Sequence, residues 1–175
     1  MRFLPQFYPA GWTQEYGITG LSFAPGVCVG LVERLEGRYS YLTQEEFASQ
    51  HRDFPALLDT ALNNLADLAQ QASLHVARPP GATVMWIEAS DNFGSVRMLL
   101  PTVRARIVGE LGPDFLFTLP SRDLCSFWNA SAPVELTAKH ACEAKEDFDN
   151  EEYCLTSQVL IYSEAWPCTE VNIGG

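Results

Sequence analysis

Cationic side chains are scarce in this chain of 175 residues. Nine Arg and two Lys stand against 22 Asp and Glu, for a net charge of −11 and a pI near 4.6. Nonspecific nucleic-acid binding needs cations to displace counterions from phosphates, and an anionic membrane surface needs them as well, so neither is expected as a partner. Long apolar runs are also missing. The longest nearly apolar stretch, Gly26 to Val32, falls far short of the ~20 residues of a membrane helix. Pro5 and Pro9 interrupt the apolar N-terminal stretch where a signal peptide would need an unbroken core. A cytoplasmic location is therefore expected. No CxxC, GxGxxG, GxxxxGK[ST], HExxH or GxSxG occurs, and with them go the familiar nucleotide, zinc-protease and hydrolase mechanics. No cofactor is expected. The five cysteines are odd in number and lack an export signal, which favours reduced thiols over a disulfide framework. His140 and Cys142 are the nearest metal-like grouping, two ligands short of a zinc site. Asp147-Phe-Asp149-Asn-Glu151 opens like a calcium loop, but Glu152 and Gln158 stand where Gly and Glu are required. No metal is expected.

What is present suits one globular domain over 1–175: 47% of residues are apolar and 19% charged. Residues 1–25, rich in Gly and Pro, read as an irregular segment. Val27–Val32 and Arg38–Leu42 flank Glu36-Gly37 as a hairpin. Thr43 and Glu46 form a capping box. Pro55 opens a helix whose apolar stripe runs Phe54, Leu58, Ala61, Leu65, Leu68, Ala72. Residues 77–82 read as a loop. Thr83–Glu88 and Ser95–Leu100 read as a second hairpin about Asp91–Gly94. A helix follows from Pro101 to Gly112-Pro113. Strands Phe115–Leu119 and Leu124–Trp128 flank the turn Pro120–Asp123. A third helix runs from Pro133 to about Glu146, an acidic loop occupies 143–152, and Gln158–Tyr162 is a last strand. This order predicts an α+β single domain: a mostly antiparallel mixed sheet built from strand pairs, with about three packed helices.

Few polar residues invite a functional role. His51 lies between helices, His75 beyond the long helix, and His140 on the third helix. A Cys125–His140 nucleophilic pair would need hydrogen-bond contact in space, which spacing does not supply. Ser121, Arg122 and Asp123 occupy a tight turn between two apolar strands. The plainer reading is a clamp, with Asp123 capping turn amides and Arg122 pairing with a carboxylate; the sharper reading is ligand binding. Asn63 and Asn64 are poor formers in mid-helix. One is expected to face solvent and the other to bond a loop or strand edge, with Asn64 as the candidate binding residue.

A set of segments then resembles a known family. Phe7-Tyr8-Pro9, Tyr41-Leu42-Thr43, Ala61-Leu62-Asn63-Asn64-Leu65, Asp91 to Ser95, Met98 to Pro101, Leu119 to Asp123 and Tyr153 to Thr156 follow in the order seen in the YtpQ-like family of uncharacterised bacterial proteins. The resemblance implies a bacterial, cytoplasmic, single-domain protein and no established activity. The first 25 residues and the cysteine-rich C-terminal third depart from it.

Three functions are expected from different classes. The first is a non-enzymatic protein-binding or regulatory domain; one version is an immunity-type protein whose acidity speeds association with a basic toxin. The alternative is a small hydrolase-like enzyme with a polar cleft near Ser121–Asp123 and Asn64. The third is an oligomeric structural protein. The charge is uneven: residues 1–133 carry −4 and residues 134–175 carry −7. Any function of acidity belongs to the last quarter.

Overall fold

The computed structural model describes residues 3–36, 38–49, 53–68, 72–89, 91–162, 164 and 167–171. Gly37 of the expected turn and His51 lie outside them. The fold is α+β, built on two antiparallel sheets and five α-helices among the described residues. The expected α+β fold of antiparallel strand pairs and packed helices is present; the strands divide between two sheets, and five helices form where about three were expected.

In the first sheet, β1 (Phe3–Pro9) runs antiparallel to the long strand β3 (Val27–Leu35), from Phe3↔Glu33 to Pro9↔Val27. The other side of β3 is shared by β2 (Gly20–Ala24) and β4 (Arg38–Tyr41). The expected hairpin is β3–β4. The expected irregular segment 1–25 is instead β1, the short helix α1 (Trp12–Glu15) and β2. Pro5 and Pro9 are compatible with β1 because it is an edge strand, where a residue can lack a ladder donor. Phe3 to Tyr8 are all buried. Buried Gln6 donates from Nε2 to the Asn92 carbonyl at 2.7 Å, tying the edge to a distant turn.

The capping box is present at α2 (Gln44–Ser49). The Thr43 N–H donates to the Glu46 carboxylate at 2.9 Å, and the Glu46 N–H donates to Thr43 Oγ1 at 3.2 Å. Helix α3 (Phe54–Ala66) buries Phe54, Leu58, Ala61 and Leu65 against the first sheet. It stops short of Ala72, which opens strand β5 (Ala72–Ala77). No Gly or Pro marks that helix end, so the i,i+4 spacing of Leu68 and Ala72 carried the predicted stripe too far.

The second sheet has the order β10-β9-β7-β8-β6-β5. It comprises β5, β6 (Val84–Ala89), β7 (Phe115–Thr118), β8 (Ser126–Asn129), β9 (Val159–Ile161) and β10 (Thr169–Glu170). Its central strands are buried on both faces and alternate between two cores. Met85, Phe115, Phe117, Phe127 and Leu160 join the main core, where Phe23 of the first sheet lies 6.1 Å from Phe117. Val84, Leu116, Trp128 and Val159 point into a smaller core that helix α5 (Val134–Asn150) covers with Leu136 and Ala141. Two-sided burial leaves Phe115-Leu116-Phe117 and Val159-Leu160-Ile161 as unbroken apolar runs.

Ser95–Leu99 is a further correction: it forms a 3₁₀ turn, not a strand, and all five side chains are buried. A short apolar run reads alike for a buried strand and a buried helical turn. Here Pro101 immediately starts helix α4 (Pro101–Leu111), leaving no room for a ladder. The acidic loop at 143–152 is corrected too, since α5 continues to Asn150. The end of α5 is capped by side chains. Cys154 Sγ donates to the Phe148 carbonyl at 2.8 Å, meeting one that the helix leaves open, and Asn150 Nδ2 adds a second bond to the Glu146 carbonyl at 2.6 Å. Among the described residues no helix is long and apolar enough to cross a membrane.

Candidate functional site

The turn Pro120–Asp123 is held from two sides. The Ser95 N–H and Oγ both donate to the Arg122 carbonyl, at 2.9 and 2.5 Å. The Leu155 N–H donates to the Pro120 carbonyl at 2.8 Å and the Arg122 N–H to the Tyr153 carbonyl at 3.3 Å. Gly94 packs so closely on the turn that a Cβ there would stand 2.7 Å from the Asp123 carbonyl oxygen. Segments around 91–95, 120–123 and 153–155 therefore form one rigid unit.

That unit thrusts Arg122 into a cleft of about 580 Å³ lined by Trp12, Arg34, Leu35, Arg38, Tyr39, Tyr41, Asn92, Arg122 and Tyr153. Arg122 is 9% exposed. Its Nη2 donates to the Tyr41 hydroxyl at 2.8 Å, and its guanidinium carbon lies 4.5 Å from the Tyr153 ring centroid, 5.4 Å from Trp12 and 5.7 Å from Tyr41. No carboxylate is among the lining residues. Burial pushes the Tyr41 hydroxyl up to about 12 against the pull of the Arg122 charge, so it stays a neutral dipole. Arg34 and Arg38 are exposed on β3 and β4. Asn92 takes a left-handed backbone (φ 63°), which Asn tolerates better than most residues, and presents the turn to the cleft. The result is a cationic, aromatic recess in a strongly acidic molecule.

The four sequence-predicted residues do not converge. Only Arg122 lines the cleft. Ser121 is 2% exposed, and its Oγ accepts from the Asp123 and Leu124 N–H groups at 3.4 and 3.3 Å. The hydroxyl, not Asp123, therefore meets the turn amides. Asp123 is half-buried with one carboxylate oxygen lacking a hydrogen bond. Burial pushes its carboxyl up, the Gly94 N–H pulls it down, the neighbouring Asp91 and Glu151 charges raise it again, and the Arg122 charge lowers it; the net shift is upward. Asn64 Nδ2 donates to the Phe3 carbonyl at 2.9 Å, on the edge of β1. Arg97, by contrast, is a buried arginine that does pair with a carboxylate: it is 1% exposed and holds both oxygens of Asp91 at 2.7 and 2.6 Å.

Sequence reasoning missed Trp12, Arg34, Arg38 and Tyr39. Arg34, Arg38 and Tyr39 had one signal, aromatic and Arg residues interleaved in Arg34–Tyr41, which on a hairpin also reads as a solvated face; Trp12, far upstream, had none.

The histidines stack elsewhere. His75 lies on Trp86 at 5.1 Å and His140 on Trp128 at 4.8 Å, with His140 Nδ1 3.0 Å from Glu143. Cys125 and His140 line a common cleft under α5. Burial pushes the Cys125 thiol up to about 12, which removes the thiolate a nucleophile needs. None of the five cysteines forms a disulfide. Among the described residues no three His, Cys, Asp or Glu side chains gather as a cation site would require. No family model matches this chain, and neither a curated protein nor a solved structure is significantly similar to it.

Proposed function

We propose that this protein is a non-enzymatic binding domain that holds an anionic group of a protein partner in the Arg122 cleft. One observation carries the reading: Arg122 is a buried cation whose guanidinium meets aromatic rings and a neutral hydroxyl in a cleft lined by no carboxylate, with Asp123 acting on it only as a neighbouring charge. Taking a charge out of water costs several kcal/mol unless it is compensated. Cation–π contacts return about 0.5–2 kcal/mol each, and an incoming anion would supply the remaining attraction. Arg34 and Arg38 at the rim add two more positive charges within the same recess. The hydrolase alternative keeps only Arg122 of its proposed residues. A basic partner would have to meet the acidic end of α5, because the cleft calls for the opposite charge. Kinship with the YtpQ-like family and a cytoplasmic setting belong to the same proposal, and neither narrows the ligand.

The test is a titration with an oligo-glutamate peptide, followed by tryptophan fluorescence with Trp12→Phe as control. Saturable binding is expected, weakening as salt is raised. It should fall at least tenfold in the Arg34→Ala/Arg38→Ala double variant, whose changes are on exposed positions. Absence of binding, or binding indifferent to both arginines, would overturn the proposal.

A further inference from the structure

A second recess adjoins the cleft. It spans about 380 Å³, is lined by Trp12, Tyr16, Ile18, Tyr41 and Thr43, and shares Trp12 and Tyr41 with the arginine recess. Its lining is apolar apart from hydroxyl groups, and Tyr16 is 57% exposed. Two acids border this lobe: Glu15 bonds the Tyr16 hydroxyl and Glu46 bonds Thr43. One groove thus runs from a cationic lobe to an apolar lobe with an acidic margin.

We infer that the two lobes together read a short extended segment of a partner protein, an acidic side chain entering the arginine lobe and a bulky apolar side chain the Trp12–Tyr16 lobe. This rests on the anion-binding reading of the cleft. Three features favour a peptide. Arg122 lies 5.4 Å from the Trp12 centroid and Trp12 lies 5.7 Å from Tyr16. At ~3.3 Å per residue of extended chain, the lobes are at most about three residues apart. The rings meet edge-on, at 89° for both Trp12–Tyr41 and Trp12–Tyr16, so these pairs offer no parallel slot for a nucleobase. Finally, β4 pairs with β3 alone among the described residues. Its other edge can template an added strand, the usual way an extended peptide is held. The charge gradient sets the orientation, because Glu15 and Glu46 repel an acid from the apolar lobe.

Fluorescence anisotropy with three labelled hexapeptides tests this. One carries two Asp and a Phe three residues on, one has that Phe replaced by Ala, and one keeps Phe but has Asn for Asp. The acid-plus-Phe peptide should bind at least tenfold more tightly than either control. Tyr16→Ala should bring it down to the affinity of the acid-plus-Ala peptide, and Arg38→Ala should weaken it at least threefold. Equal affinity for the two acidic peptides, or tighter binding of adenosine monophosphate than of any peptide, would overturn the two-lobe inference and leave the anion reading standing. Failure of both acidic peptides to bind would overturn the anion reading itself.

Discussion

Arg97 and Arg122 are both buried cations, compensated by different means. Arg97 has a carboxylate six residues back, brought to it by the turn at Asn92 and the 3₁₀ turn that follows. Burial pushes the Asp91 carboxyl up, but the hydrogen bonds and charge of Arg97 outweigh it and hold the group below the usual range. Removing the carboxylate leaves a buried charge alone, so Asp91→Ala should cost about 3–5 kcal/mol in urea denaturation. A carboxyl held low stabilises the fold fully above its unfolded value, ~3.9, and loses that contribution as pH falls through the lower native one. The gap between the native protein and Asp91→Asn should therefore narrow below about pH 4. Gly30 acts at the same scale. A Cβ there would stand 2.7 Å from Tyr8 Cε1, and Tyr8 packs edge-on to Tyr41 at 5.6 Å. Gly30→Ala should cost about 1–3 kcal/mol, seen as a lowered Tm, and should weaken anion binding through Tyr41. Position in a turn between apolar strands singled out Arg122 from the sequence. Its aromatic partners are residues 12, 41 and 153, and no local pattern joins positions so far apart.

Elements were legible where their signals are local. The capping box at Thr43 and Glu46 needs only four residues to specify a helix start, and Pro101 with Gly112 brackets α4 in the same way. They were illegible where tertiary burial replaced local pattern, as in Ser95–Leu99 and the edge strand β1. Helix α5 shows a local conflict: it ends on acids, next to the negative end of its own dipole, with no basic residue in its last turn. Burial pushes the Asp147 carboxyl up, and the charges of Glu143 and Glu146 add to this. A raised carboxyl costs stability once ionised, above its native value, and costs nothing below its unfolded one. Asp147→Asn should therefore stabilise the protein at pH 7, by about 0.3–1 kcal/mol from the dipole contribution, and show no gain at pH 3. Thermal melts at the two values check this.

At the scale of the whole molecule, composition had already determined a great deal. The apolar fraction demanded a core, and period-2 and period-3.6 patterns placed most helices and the hairpin β3–β4. The uneven charge put the acid on the last quarter, because these are sums and spacings along the chain. The net charge of −11 could not show that three arginines share one recess. That depended on folding, since the cleft draws on α1, the β3–β4 hairpin, the turn at Asn92, the Pro120–Asp123 turn and the segment after α5. Contacts between residues so far apart in the chain pay loop-closure entropy and are repaid only by the packed core. Local sequence chose the elements, and long-range packing of Gly94 on Asp123 and Tyr8 on Tyr41 decided how Arg122 is buried and what surrounds it.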